Sequence, residues 1–454
     1  MLTPLPPREW TPIAAAHLLN RAGFGGSPAE IHRLHCLGHS AAVAALLDAD
    51  EDFDLFPAPE IAPMQRPTPG PKAQIHGAEV RALARRQTLQ LRDWWLRRMR
   101  STPNPAREKA VLFWHGHWAT SIQKVRDPFL LLQQNETLRA HALGEFGPMT
   151  KEMTRDPAMI RYLDLQTSET GKPNENFSRE LMELFTLGEG HYSEEDVREA
   201  ARAFTGHRYN PRTGTFELAR RRHDKGVKTF LGRTGCFNGD EVVDIIVSQP
   251  RCAEFISKKL WTFYAGENPP QGLLDTLADA YRDSGLNTGN LLRRIFTSRA
   301  FYAPVIVRSQ IKSPVQWLVQ ACKILEIPLP AAAVSLKVLT ELGQTLFAPP
   351  NVKGWDGGRA WISSSTLLLR HNLAGQIVRG AGGRLQAPDI DTLIPPGAAP
   401  SSLCDALGER LFQSPMSPAL RAKATTFLDG NGTSPAARRD LLHLLLSTPE
   451  FQLS

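Results

Sequence analysis

Cysteine is scarce and scattered in this chain. Cys36, Cys236, Cys252, Cys322 and Cys404 lie far apart and form no Cys-x-x-Cys pair, which removes the zinc-ribbon and dithiol redox classes. An odd number of separated thiols reads most economically as reduced cysteine in the cytoplasm. Long apolar runs are missing as well. No segment reaches the roughly 18 consecutive apolar residues of a membrane span. The start, Met1 to Gly23, lacks the charged region, apolar stretch and small-residue site of a secretory signal, so the expected compartment is cytoplasmic. No block of five or more like charges occurs, and the densest basic cluster is Arg220-Arg221-Arg222. A net charge of +7 permits attraction to phosphates, but without such blocks it argues against general nucleic-acid binding. Also absent are the Gly-x-Gly-x-x-Gly fingerprint, the P-loop and the Gly-x-Ser-x-Gly elbow.

What is present is helix punctuation. A capping residue precedes proline at Thr11, Ser27, Asn104, Asp127, Asp156 and Ser313. The cap accepts a bond from an orphan amide, and proline at the first helical position gives up no needed donor. Gly23, Gly144 and Gly188 close apolar periodic runs as left-handed caps would. The expected fold is mainly α, a multi-helix body with a small inserted β-hairpin near 214–232. There Thr215-Phe216-Glu217-Leu218 alternates and Val227 to Leu231 returns as its partner. The expected organisation is N-terminal helices over 1–56, a Pro-rich loop over 57–74 and a main helical domain over 75–378. A linker over 379–400 and a C-terminal helical segment over 401–454 complete it.

The stretch from Pro173 to Gly188 (PNENFSRELMELFTLG) carries the most information. At about 100° per residue, Phe177, Leu181, Leu184 and Phe185 share one arc, and Asn176, Arg179, Glu180 and Glu183 share another. The apolar arc accounts for folding; the polar arc faces either water or a site. Glu180 and Glu183, at i and i+3, place two carboxylates on one side, as in carboxylate metal bundles. The plainer alternative is an exposed stripe with Arg179 paired to Glu183, and Asn174 as the N-cap. Trp114-His115-Gly116-His117-Trp118 looks like a His-x-His metal pair. On a helix, however, its two rings point about 200° apart. His223-Asp224 falls in a turn, either as an oriented general base or as ordinary turn chemistry. Lys228 and Arg222 beside it could form an anion patch, and Asn135 and Arg139 share a face one turn apart.

These strings resemble one family when taken together. HLLNRAGFG (17–25), REKAVLFWHGH (107–117), PNENF (173–177), RELMELFTLG (179–188), ARAFTG (201–206), His223-Asp224, IKSP (311–314) and PPNVKGW (349–355) are similar to the bacterial domain of unknown function 1800. The chain departs from that pattern at Trp118, Ser178, His207 and Asp356, without losing a chargeable position. The resemblance implies that His115, His117, Asn174, Glu175, Asn176, Arg179, Glu180, Glu183, His223 and Asp224 fill the family's polar motif. It implies no activity.

The first functional expectation is an enzyme doing metal-assisted hydrolysis or group transfer. A divalent metal would be held by His115, His117, Glu180 and Glu183. Glu180, Glu183, His117, His223 and Asp224 would be its catalytic groups, and Asn174, Asn176, Arg179, Asn135, Arg139 and Lys228 its substrate contacts. The alternatives are a non-catalytic binding or scaffold protein with a buried polar network, and an anion or phosphate-group binder using Arg179, Arg222 and Lys228.

Overall fold

The computed structural model describes residues 2–48, 56–64, 73–380, 382, 384–395 and 399–454. Its regular structure is almost entirely helical, with two small antiparallel two-stranded sheets. Most of the punctuation works as read. Thr11, Ser27, Asp127, Asp156 and Ser313 accept from the amides of Ala14, Glu30, Phe129, Met159 and Gln316. Ser27 with Glu30 completes a capping box. Asn104 sits at a cap position but its side chain makes no cap bond. Of the three glycine stops, Gly188 takes the left-handed conformation (φ 85°), whereas Gly23 has φ −131° and Gly144 is not left-handed.

The strands expected at 215–218 and 227–231 both form, but they do not pair with each other. β1 (His207–Tyr209) pairs with β2 (Phe216–Leu218), and β3 (Lys228–Phe230) pairs with β4 (Arg233–Gly235). Turn chemistry decides this. Leu231 (φ 44°) and Gly232 (φ 76°) make a two-residue turn with both residues left-handed, which returns the chain at once and claims Lys228–Phe230 locally. His223-Asp224 is left between the two ribbons.

One apolar core runs from Leu5 to Phe451 and joins the amino-terminal helices, the central body and the carboxy-terminal segment. The helix Pro105–His117 is its axis: every residue but Arg107 and Gly116 is buried. It packs against Ala73–Ser101 and Pro128–His141. The Pro-rich segment falls partly outside the described residues, over 65–72. Within the stretch read as a linker, Ile390–Leu393 forms a short helix whose Ile390 and Leu393 are buried, against Pro435–Leu446. Among the described residues no helix is long and apolar enough to cross a membrane.

Candidate functional site

The helix that carries the Asn-Glu-Asn motif opens on Asn174, whose side-chain oxygen accepts from the Asn176 amide. The Asn174 amide group in turn donates to the Asp164 carbonyl and the Thr167 hydroxyl. Asn176 reaches back to the Leu163 carbonyl. Both asparagines thus fasten the helix to the turn before it. Phe177, Leu181 and Phe185 of the apolar arc are buried, Leu184 is partly buried against the core, and Met182, outside that arc, is buried as well. The opposite arc lies at the surface. Arg179 makes two bonds to Glu194 on the next helix, at 2.6 and 2.7 Å, rather than pairing with Glu183. Glu183 accepts from the Tyr192 hydroxyl at 3.2 Å. Partial burial, and secondarily the charge of Glu183, push the Glu180 carboxyl up.

From Leu181 to Thr186 the helix widens into a π turn, with the Leu187 amide bonded five residues back to Met182. Its last carbonyls need donors from elsewhere. His117 Nε2–H donates to Phe185 O (2.9 Å), Lys259 Nζ to Leu184 O (3.2 Å) and Arg251 Nε to Leu187 O (3.0 Å). Three donors, two of them cations, therefore meet the negative end of the helix, where positive charge is favoured. Enclosure pushes the Lys259 ammonium down to about 8. His117 is held neutral, well below the ordinary histidine value, by burial first and by the nearby Lys259 charge second. Phe113, Trp114, Trp118, Phe146 and Phe185 surround its ring.

His115 points elsewhere. Its Nε2 accepts from the Phe347 amide at 3.1 Å, and burial pushes its pKa down to about 3. Between the two histidines, Gly116 lies under Gly354 of the 349–357 loop. A Cβ on Gly354 (φ 87°) would stand 2.1 Å from the Gly116 carbonyl oxygen, so only glycine fits. The Trp355 ring covers Gly116 from beside His115. The Trp-His-Gly-His string is thus the socket into which Pro-Pro-Asn-Val-Lys-Gly-Trp docks.

The four residues read as metal ligands are accordingly not gathered. His115 and His117 use their Nε2 atoms on backbone partners facing opposite ways, and Glu180 and Glu183 lie on the surface arc. Among the described residues, no group of three or more His, Cys, Asp or Glu side chains is placed to hold a metal.

Asn135 and Arg139, read as substrate contacts, are sealed inside. Arg139 bonds Glu108 at 2.6 and 3.1 Å and Asn135 at 2.8 Å. Arg98 and the Trp95 indole complete the ring of donors around Glu108, at 2.7 and 2.9 Å. Burial raises the Glu108 pKa, but Arg139 and then Arg98 outweigh it and hold the carboxyl below its usual range. The sequence reading missed Glu108. The available signal was a helix without a hydrophilic face that nonetheless carries Glu108 and Lys109; such charges must find partners indoors.

With these motifs located, the comparison with known families is decisive: the model described as protein of unknown function (DUF1800) matches residues 17–453. The chain belongs to the DUF1800 family. No curated protein and no solved structure matches it.

The remaining DUF1800 motif, His223-Asp224, lies against Thr205. Asp224 takes two bonds from Arg202, at 2.8 and 3.3 Å, and Lys228 donates to the carbonyls of Asp224 and Gly226. Arg202 is the main reason the Asp224 carboxyl stays below its ordinary pKa. Adjacent His and Asp do not bond to each other. His223 Nδ1–H instead donates to the Thr205 carbonyl at 3.0 Å, which leaves Nε2 outside that bond. The three cations read as an anion patch are also separately engaged: Arg179 with Glu194, Arg222 with Glu169, and buried Lys228 with carbonyls. Beside this turn an open depression of ≈ 440 Å³ is lined by Thr167, Glu169, Lys172, Pro173, Asn174 and Glu175.

Proposed function

We propose that this chain works as a binding or scaffold protein, with the depression at the start of the Asn-Glu-Asn helix as its contact surface. One observation carries the reading. Four of the motif's chargeable groups are occupied by internal partners: His115 and His117 by backbone, Arg179 by Glu194, and Asp224 by Arg202. A catalytic set would instead aim such groups at a shared reacting atom. The depression presents mixed polar chemistry, with Lys172, Glu169 and Glu175 among its lining residues, suited to hydrogen-bonded contact with a partner.

Metal analysis of the purified protein, with His117→Ala and Glu180→Ala, tests this against metal-assisted hydrolysis. The expected result is no stoichiometric metal, a strongly lowered melting temperature for His117→Ala and an unchanged one for Glu180→Ala. Stoichiometric metal lost in both variants with the fold retained would overturn it. A second reading, a general-base enzyme centred on His223, is favoured by the Nδ1 contact to Thr205, which leaves Nε2 outside that bond. It requires an activity that His223→Gln abolishes and Glu180→Ala spares.

A further inference from the structure

A second cavity, away from the Asn-Glu-Asn helix, is built by the loop that docks on Gly116. It is an open depression of ≈ 230 Å³. Trp355, Trp361 and Pro350 supply apolar walls, and Glu341 and Asp356 supply charge; no basic side chain lines it. Its size lies below the roughly 300–1,000 Å³ of sites for whole drug-sized ligands, so it suits a head group.

Both indoles are fixed by the fold. Trp355 is held against Gly116 and the His115 ring. Trp361 is buried, with Gly343 and Gly357 (φ 90° and 74°) beside its indole. The carboxylates have little else to do. Glu341 meets Lys337 only at 3.7 Å, with both groups well exposed, and Asp356 is exposed with no ion pair among the described residues. The Trp355 indole N–H is buried without a partner among the described residues. Two indole rings and two carboxylates line one depression without a basic side chain, and ring quadrupole and carboxylate attract the same charge.

We propose that this cavity binds an organic ammonium ion, either a quaternary ammonium head group or the ammonium of a lysine side chain. The pocket is independent of the depression proposed above as the contact surface, and either can fail without the other.

The test is titration of the full chain with choline, with tetramethylammonium and with N-acetyl-lysine methylamide, followed by tryptophan fluorescence and by indole N–H shifts in NMR. Sodium chloride at matched ionic strength is one control. The neutral carbon analogue of choline, 3,3-dimethylbutan-1-ol, is the other. The expected result is saturable perturbation of Trp355 and Trp361 by an ammonium compound, and none by the alcohol. The combined variant Glu341→Gln, Asp356→Asn should bind about tenfold more weakly, with its melting temperature retained. Whether choline and tetramethylammonium or the lysine compound binds more tightly identifies the source of the cation. No saturation beyond the salt control, equal binding of the alcohol, or unchanged affinity in the combined variant would each overturn the proposal.

Discussion

Glu108 and Glu180 both stand on helices rich in apolar residues, and both belong to strings that mark the family. Glu108 is sealed, 1% exposed, inside a ring made by Arg98, Arg139 and Trp95. Glu180 sits half-open on the surface arc with no bonded partner among the described residues. Acidic residues in a recognisable string thus serve two different ends here. In the interior, charge is a structural commitment, because removing one partner strands the others in a medium that cannot solvate them. On the surface arc, charge is free to be spent on a partner.

Acid should separate the two regions most strongly. His115 (about 3), His117 (well down) and His207 (about 4) have folded-state pKa values below the ordinary 6.5, in each case first because of burial. Above 6.5 both states are neutral and nothing is lost. As the pH falls, the unfolded chain takes up protons that the fold refuses. Each ring then costs about 1.4 kcal/mol per pH unit until its folded pKa is reached. The urea midpoint should therefore fall steeply from pH 7 to pH 5, and a flat profile would remove the dry-interior account of the histidines.

Glu108→Gln comes next. It leaves Arg98 and Arg139 facing a neutral amide and should cost on the order of 3–5 kcal/mol in urea unfolding. A loss below 1 kcal/mol would mean the ring is hydrated. Gly354→Ala should cost roughly 1–3 kcal/mol from the left-handed backbone alone, with the clash against the Gly116 carbonyl added to it, and it should also shift tryptophan emission as the loop lifts from Gly116. The surface arc gives the smallest response. Arg179→Ala should leave the urea midpoint unresolved from the parent, because its partner Glu194 is open to water. A clear destabilisation there would erase the contrast with Glu108.

The sequence exposed those features whose causes are local. Cap-proline pairs located helix starts because a cap and its amide lie within three residues of one another. The opposed directions of His115 and His117 followed from helical periodicity alone. Pairing was less legible: Phe216–Leu218 turned back to His207–Tyr209 because Leu231-Gly232 had already claimed the other strand. Least legible were roles set across long separations. Nothing near His117 announces that it caps Phe185, and nothing near Gly116 announces Gly354. The widening of the helix at 181–186 was also hidden, since its apolar spacing fits an ordinary turn nearly as well.

The meeting of Gly116 with Gly354 also sets an order of events during synthesis. The two backbones touch across 354 − 116 = 238 residues, with no side chain between them. At roughly 5–20 residues per second, the Trp-His-Gly-His helix waits about 12–48 seconds after its own synthesis before its partner is made. Through that interval the polar edge of His115, later covered by the Phe347 amide, has no counterpart. This face of the central helix therefore stays uncovered in the growing chain until the loop that packs on it has been made.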